Sequence, residues 1–256
     1  MKKTLLLLAF FSAAIGSAHA ADMPVKAPVY VAPFTWTGIY LGINAGYGNS
    51  KSDGSEYCTT PDGIVSGLGC WNPSAAAVTS SGGFVGGQVG ANYQVGMFVF
   101  GVESDIQVAH INGSSTLADP CCIPTFTSAI GTLTRAQNLD WFGTVRGRLG
   151  LAIWDRTLVY GTGGVMYGEE VVNTSLTFPL VGYQATSSAT HTGWVAGGGI
   201  EYAFTNALSA KLEGLYYNMG SENLAFTSPL THFSETSSYA YQGAMVRLGA
   251  NLKFGP

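Results

Sequence analysis

The amino-acid sequence predicts an all-β fold, an eight-stranded antiparallel up-and-down transmembrane β-barrel with short periplasmic turns and four long extracellular loops. Apolar and other residues alternate with a period of two in eight segments, which is typical of strands that separate two environments. Only 10% of the 256 residues are charged, whereas 35 are Gly and 12% are aromatic. After residue 20, no stretch reads as a transmembrane helix, and a closed barrel is the other structure that satisfies every backbone group within lipid.

The composition also excludes or disfavours several classes of protein. Disordered chains are poor in apolar residues, but 46% of this chain is hydrophobic. The net charge of −4 offers no basic surface for nucleic acid. A water-soluble enzyme is disfavoured, because so few charges would leave its surface poorly hydrated.

The strands are predicted from the eight alternating segments. They lie at about 37–48, 82–93, 97–110, 138–152, 157–169, 192–204, 208–219 and 239–254. Apolar side chains on one face are expected to meet lipid, while Gly, Asn, Thr and a few charged residues face the lumen. In the fourth segment, this pattern sets Leu139 and Trp141 outward and Asp140 inward. A soluble sandwich or lipocalin is the alternative, but it would pack its apolar residues inward beneath a charged outer face.

The connections between strands predict the topology. Short turns are expected near 94–96, 154–156 and 205–207, and long polar segments at roughly 49–81, 111–137, 170–191 and 220–238. In barrels of this type the short turns are periplasmic and the long loops are extracellular. Eight strands with this alternation leave both chain termini in the periplasm.

The first twenty residues have the three parts of a secretory signal peptide. Lys2 and Lys3 form a positive n-region, residues 4–15 form an apolar h-region, and Ala18 and Ala20 frame an A-x-A cleavage site. We therefore divide the chain into three parts. They are a signal peptide at 1–20, a Pro-rich periplasmic leader at 21–35, and an outer-membrane barrel at 36–256.

Eight charged residues on the inward faces are predicted to form a lumen charge network. They are Glu103, Asp105, Arg146, Arg148, Glu201, Lys211, Glu213 and Arg247. All lie at a similar height above the predicted turns, and four acids balance four bases, as a lumen too narrow for bulk water requires. A three-residue loop at 205–207 would set Glu201 directly opposite Lys211. The alternative is a set of independent, water-solvated charges.

Four cysteines fall in two predicted loops, and export permits disulfides. The even count favours pairing over zinc ligation, and Cys58–Cys70 is the preferred bridge because it encloses a short local loop. Cys121 and Cys122 are adjacent, so a bridge between them would be strained. Cross-loop pairing remains open, because four cysteines allow three connectivities.

The C-terminal strand resembles the assembly signal of bacterial outer-membrane barrels. Its elements here are Arg247, Gly249, Leu252 and the aromatic Phe254. In that family the aromatic is usually the last residue, whereas two residues follow it here. The resemblance implies recognition by the barrel-assembly machinery.

Four further stretches resemble the small outer-membrane surface proteins of alphaproteobacteria, often called immunogenic or porin-family proteins. They are 34–42 (FTWTGIYLG), 44–48 (NAGYG), 142–150 (FGTVRGRLG) and 160–165 (YGTGGV). The resemblance covers about 36–254. It implies an eight-stranded barrel of the OmpA transmembrane type in the cell outer membrane, among lipids and lipopolysaccharide, and it implies no catalytic activity.

The resemblance bears on two further ligands, peptidoglycan and haem. Similar barrels are tethered to peptidoglycan through a mature N-terminus that begins Ala-Asp, which Ala21 and Asp22 reproduce; an untethered tail is the alternative. Some members are associated with haem, but His110, His191 and His232 match no metal-ligand spacing. We therefore predict no metal, cofactor or catalytic residue.

These observations lead to a predicted function. An eight-stranded barrel is just wide enough for its own side chains. We expect an outer-membrane structural and surface barrel that contributes to envelope integrity and surface interactions, with its lumen closed by the charge network. The alternatives are a small porin-like channel, or a surface binder of haem or another ligand.

Overall fold

The computed structural model describes residues 33–60, 63–64, 77–119, 131–154, 156–177, 182–227 and 234–255. Eight long strands occupy most of these ranges: β1 Gly38–Thr60, β2 Val78–Val95, β3 Phe98–Asp119, β4 Gly131–Ile153, β5 Thr157–Thr177, β6 Gly182–Ala203, β7 Leu208–Thr227 and β8 Ser234–Phe254. A two-residue strand, Gly63–Ile64, folds back on the end of β1. Within the described ranges, no helix is both long and apolar enough to cross a membrane.

Each long strand pairs antiparallel with the next, and the first pairs with the last. Pairing between β1 and β8 runs from Ile39↔Phe254 to Thr59↔Ser234. The sheet therefore closes on itself, and the predicted eight-stranded antiparallel barrel is confirmed. We call the end with the three short turns the turn end and the opposite end the loop end.

Side chains alternate between the two faces of the wall as the period of two predicts. In β1, Ile43 is 71% exposed on the outer face, whereas the adjacent Asn44 is 3% exposed in the lumen. The other strands repeat this pattern. The wall therefore has an apolar outer surface, and its interior holds charged and polar side chains as well as apolar ones, unlike a soluble barrel.

Three short turns join the strands at the turn end, where they were predicted. Val95 pairs with Phe98, Ile153 with Thr157, and Ala203 with Ser209. The first turn needs Gly96, whose φ of 59° lies in the left-handed region that favours glycine.

The predicted extent of the loops is wrong, because the strands continue well into them. β1 reaches Thr60 and β5 reaches Thr177, whereas the sequence pattern ended these strands near 48 and 169. The additional segments are rich in Ser and Thr, which suit a pleated ladder but give no apolar contrast. Pairing with neighbouring strands therefore continues past the end of the regular apolar alternation.

One predicted orientation is also wrong, in the middle of β4. Leu139 is buried in the lumen and Asp140 is exposed, the opposite of the expectation. A β-bulge is the cause: Leu139 pairs with Glu170 and Trp141 with Glu169, so Asp140 is an extra residue. Such a residue shifts the alternation by one position, and the inward residues change from odd to even numbers at this point.

Candidate functional site in the barrel lumen

The lumen is filled by side chains in four successive levels. Along β4, moving away from the turn end, the inward residues are Arg148, Arg146 and Thr144, then Phe142 and Leu139, and then the polar Gln137 and Arg135. A further apolar level lies below Arg148, at the turn end. The predicted charges therefore lie between two apolar levels, which the sequence did not reveal.

The structure brings all eight residues of the predicted charge network together, and none is more than 5% exposed. Glu103 on β3 is the centre. Lys211 Nζ donates to both of its carboxylate oxygens, at 2.7 and 2.6 Å, and the Tyr40 hydroxyl donates to Oε2 at 2.7 Å. Arg146 also donates to this carboxylate, and Arg247 Nη2 does so at 3.1 Å. With the longer bond from Arg148 Nη1 at 3.5 Å, this carboxylate accepts hydrogen bonds from four cations and a phenol.

Two arginines link Glu103 to Asp105 and Glu213. Arg146 donates to Asp105 Oδ2 at 3.0 Å and to Glu213 Oε1 at 2.9 Å. Arg247 donates to the same two groups, at 2.9 and 2.5 Å. Each guanidinium therefore bridges three acids, a use of its fixed fork of donors that a lysine could not reproduce.

A second branch of the network faces the turn end. Arg148 Nη2 lies 2.6 Å from Glu201 Oε2, and the guanidinium carbon lies 4.0 Å from the centre of the Tyr160 ring. Ser209 and Asn251 donate to the other oxygen of Glu201 at 2.6 and 2.8 Å. Every carboxylate of the network therefore has a cationic partner, as burial of charge demands.

The predicted pairing of Glu201 with Lys211 is confirmed in the backbone, where the two residues lie opposite each other. Their side chains take different main partners. Lys211 contacts Glu103, while Glu201 contacts Arg148. Arg148 Nη1 also lies 3.5 Å from Glu103. Glu201 is therefore connected to Lys211 through Arg148 and the Glu103 carboxylate.

The segment before β1 forms a floor across the turn end. Trp36 is 3% exposed and packs with Val99, Leu158 and other apolar residues. Its backbone N–H donates to Gln94 Oε1 at 2.8 Å, and Lys253 Nζ donates to the carbonyl oxygen of Thr35. The floor is therefore attached both to the first turn and to the last strand.

Phe34 and Gly38 define the two ends of this floor. The Phe34 ring meets Trp36 edge-on at 5.0 Å, and Arg156 and Lys253 lie over it at 5.2 and 4.8 Å. Gly38 has a φ of 145°, and a Cβ there would lie 2.7 Å from the carbonyl oxygen of Phe254. Only glycine fits where the chain turns from the floor into β1.

Twelve buried apolar residues form an apolar layer on the loop-end side of the network. They are Phe84, Ala109, Ile111, Leu139, Phe142, Met166, Val195, Leu215, Tyr217, Met219, Tyr241 and Met245. Phe84 and Phe142 meet edge-to-face at 5.2 Å. Sequence reasoning concentrated on inward polar residues and missed this layer, although Phe84 and Phe142 lie on the inward face of their predicted strands.

A polar group lies above the apolar layer, in segments predicted as loops. Arg135 and Glu170 are 2% and 4% exposed, and Gln137 donates to Glu170. Ser50 and Ser80 are buried nearby and line the same small cavity as Gln137 and Glu170. Nothing in the sequence indicated this group, because the alternation that located the rest of these strands fades there.

The remaining predicted site residues are placed as follows. Of the assembly signal, Arg247 lies in the network and Gly249 lies beside Lys211, while Leu252 and Phe254 are about half exposed on the outer wall. Of the cysteines, only the backbone of Cys58 is described, in β1. Cys70, Cys121, Cys122, Ala21 and Asp22 lie outside the described residues.

The histidines do not form a common site in the described part of the chain. His110 is exposed on β3, and His191 on β6 packs against the Tyr241 ring at 5.0 Å. His232 lies outside the described residues. Among the residues that are described, no three His, Cys, Asp or Glu side chains are placed to hold a metal ion.

Aromatic side chains mark two levels on the outer wall. Trp194 and Tyr216 pack at 5.6 Å toward the loop end, and Trp141 packs on Tyr167 at 6.2 Å while its Nε1 donates to Glu169 at 2.9 Å. Toward the turn end, exposed aromatic residues include Tyr93, Tyr202, Phe204 and Phe254. Such girdles flank the lipid-facing band of outer-membrane barrels.

Comparisons with known proteins agree with this structure. Residues 4–254 match the model of the outer membrane protein beta-barrel domain family. The 31 kDa outer-membrane immunogenic protein of Brucella melitensis biotype 1 is 34% identical over 262 residues, covering 98% of this chain and all of the relative. The 22 kDa outer membrane protein of Rhizobium leguminosarum bv. viciae is 29% identical over 231 residues, covering 90% of this chain and 82% of the relative.

A solved structure shares the fold. The outer membrane protease OmpT from Escherichia coli matches with a TM-score of 0.50 at 10% identity, over 88% of this chain and 99% of that one. At this identity the similarity concerns the fold alone. The matches to the family model and to the Brucella and Rhizobium proteins confirm the resemblance noted in the strand motifs. The chain therefore belongs to the outer membrane protein beta-barrel domain family.

Proposed function

We propose that this outer-membrane barrel is a closed, non-enzymatic structural and surface protein that contributes to envelope integrity. One observation carries the proposal: a buried, charge-balanced network spans the lumen between the aromatic floor and the apolar layer. Every carboxylate in it has a cationic partner. A protein that carried solutes through this lumen would have to break these ion pairs and hydrate both apolar levels.

A small porin-like channel is the alternative function. A conducting lumen needs a continuous hydrated path, as in larger barrels, whereas an eight-stranded barrel is filled by its own side chains. Tyr217 and Met245 are at most 2% exposed and lie directly above the network. The layered packing therefore favours the closed barrel over the channel.

The proposal includes an orientation in the membrane. The short turns face the periplasm and the loop end faces outward, as in other barrels of this type. Because Ile39 pairs with Phe254 at the turn end, both chain termini are then periplasmic. The apolar wall contacts lipids and lipopolysaccharide, and Leu252 and Phe254 of the assembly signal lie on it, where the assembly machinery can reach them.

A periplasmic N-terminus supports a tether to peptidoglycan through Ala21 and Asp22. Digestion of cell-wall sacculi with muramidase should release peptides that begin at Ala21 and carry a muropeptide. A free amine on every Ala21 peptide would refute the tether without affecting the closed barrel.

A deletion strain tests the envelope role. We expect loss of the protein to increase sensitivity to detergent and leakage of periplasmic proteins. Expression of the wild-type chain should reverse both defects. The matched variant Val145→Ala changes only the outer wall, where Val145 is 53% exposed. It should reverse both defects as well as the wild-type chain does. A deletion strain whose envelope is indistinguishable from the parent would contradict the proposal.

A further inference from the structure

In the part of the chain that the structure describes, the barrel wall is incomplete between β6 and β7 at the loop end. Within the described residues, pairing of these strands begins at Ala203↔Ser209 and stops at Trp194↔Asn218. β6 nevertheless continues to Gly182, paired with β5 as far as Thr177↔Gly182. Among the described residues, 182–193 of β6 therefore pair with β5 alone, and we call this segment the β6 edge.

A bulge in β7 separates the two strands. The pairing of β7 with β8 shifts between Asn218 and Ser221, and Gly220 has a φ of 85°. The Gly220 N–H donates to Asn218 Oδ1 at 2.8 Å, which fixes the bend. Beyond this point β7 stays with β8 while β6 stays with β5, so the two strands diverge.

The opening lies outside the lipid-facing band. Trp194 and Tyr216, which pack at 5.6 Å, mark the outer membrane boundary, and the opening starts directly beyond them. An open sheet edge is not tolerated in the hydrocarbon region but can be hydrated outside it. The position of the opening thus agrees with an exposed surface.

Two hydrogen bonds at the turn end of β6 show which way the backbone groups of the β6 edge point. The Ala203 N–H donates to the Arg156 carbonyl on the β5 side, and the Phe204 N–H donates to the Leu208 carbonyl on the β7 side. Directions alternate along a strand, and β6 pairs with β5 without a register shift. The backbone N–H and C=O groups that face the opening therefore belong to the even-numbered residues Gln184, Thr186, Ser188, Thr190 and Thr192.

The sequence of the β6 edge lacks the charged residues and Pro that usually protect an edge against strand addition. Natural edges are blocked by charged residues, Pro, bulges or short length. Residues 182–193 (GYQATSSATHTG) contain no Asp, Glu, Lys, Arg or Pro. The pairing with β5 along the whole segment keeps the edge preformed.

We propose that the β6 edge binds an extended polypeptide segment from outside the cell, which adds to the sheet as an antiparallel strand. Unpaired backbone groups spaced along a preformed edge provide the affinity in this mode of recognition, largely independently of sequence. The inference rests on the surface role and orientation proposed above and specifies the chemistry of the partner. The bound segment takes the direction and position that β7 has nearer the turn end.

A second copy of the chain does not fit this edge. Copies in one membrane share one orientation, so a two-fold axis that relates them runs along the membrane normal and sets their β6 strands parallel. Symmetric antiparallel pairing is then impossible. Parallel pairing of two identical edges would require one strand to be shifted along the other by one residue. An exact two-fold axis sets the same residues level with each other and does not allow this shift.

Amide hydrogen exchange of the full chain in nanodiscs, read by NMR, tests the inference. In the free protein, the even-numbered amides from 184 to 192 should exchange faster than the odd-numbered amides from 183 to 191, on the order of tenfold or more. Residues 195–201, which pair on both sides, are the internal control. Equal protection of even and odd amides in the edge would overturn the inference.

The probe is a synthetic peptide with the sequence of residues 170–177 (EVVNTSLT), the strand that already pairs with this segment on its other side. Saturating peptide should slow the even-numbered amides on the order of tenfold and leave the odd-numbered ones unchanged. No slowing would also overturn the inference, whereas the envelope phenotype of the deletion strain tests the proposed function separately.

Two neighbouring variants sharpen the test. Thr190→Pro removes an N–H that faces the opening, which an edge strand tolerates, and should weaken the peptide effect while the strand stays folded. Ala189→Pro removes an N–H that faces β5 and should instead raise exchange in the odd-numbered amides around it. If both variants bind peptide as the wild type does, backbone pairing at this edge is refuted.

Discussion

The two ends of the same strands differ in how completely they pair. Between the turns and the girdle residue Trp194, each strand pairs on both sides and the lumen is filled with paired charges and apolar side chains. Beyond Trp194 the sequence is rich in Ser and Thr, and the described pairing of β6 is with β5 alone. The difference shows what lipid requires: within it every backbone group must be paired, whereas outside it water can satisfy an open edge.

Loss of the central carboxylate should have the largest effect on the lipid-embedded part. Glu103→Ala removes the carboxylate that Lys211 contacts and takes one of three acidic partners from both Arg146 and Arg247, all in a buried site. We expect a loss of about 3–5 kcal/mol in the free energy of unfolding, measured by urea titration of the barrel in detergent micelles. A loss below about 1 kcal/mol would mean that these charges are solvated rather than buried.

The apolar layer should come next. Phe142 is fully buried and packs edge-on against Phe84. Phe142→Ala should cost about 3 kcal/mol, through lost burial and the cavity that remains. Val145→Ala, three residues away on the lipid-facing wall, is the matched control and should cost less than about 1 kcal/mol. Equal costs would show that the layer is not packed.

A double-mutant cycle measures the coupling inside the network. Lys211→Ala and Glu103→Ala remove the two partners of one ion pair, so we expect a coupling of about 1–3 kcal/mol. Glu201→Ala with Lys211→Ala should also cost less than the sum of the single changes, with a smaller coupling because these side chains meet only through Glu103 and Arg148. Additive losses in both cycles would refute a connected network.

The smallest effect is expected on the outer surface of the loop end. Glu169 accepts hydrogen bonds from Trp141 and Ser188 but is only partly covered. Glu169→Gln keeps its shape and an acceptor oxygen, so the unfolding midpoint in urea should not change measurably. A clear decrease would show that the loop end depends on charge as the lumen does.

The sequence predicted the part of the molecule that lipid constrains. Apolar and polar residues must alternate there, so the strand order, the turns and the eight lumen charges such as Glu103 and Arg247 could be read from the pattern. The bulge at Asp140 could not, because nothing local distinguishes one extra residue from regular alternation. Phe34 and Trp36 were also missed as the floor, because their burial depends on contacts with Gln94 and Lys253, which are distant in sequence.

The loop end was harder to predict for a related reason. Water surrounds it on the outside, so Ser and Thr can face either side and the pattern carries little information. Buried Arg135 and Glu170 fell within predicted loops, although both lie on strands. The pairing of the four cysteines stays a prediction that mass mapping of the exported protein can test.

The central claim is that paired charges and two apolar levels close the lumen, and ion conductance in planar bilayers tests it most directly. The purified full chain should give no stable channels. Lys211→Ala, which removes one cation from Glu103, should give weak and flickering ones, while Val145→Ala should stay silent. Stable, large openings from the wild-type monomer would contradict the claim.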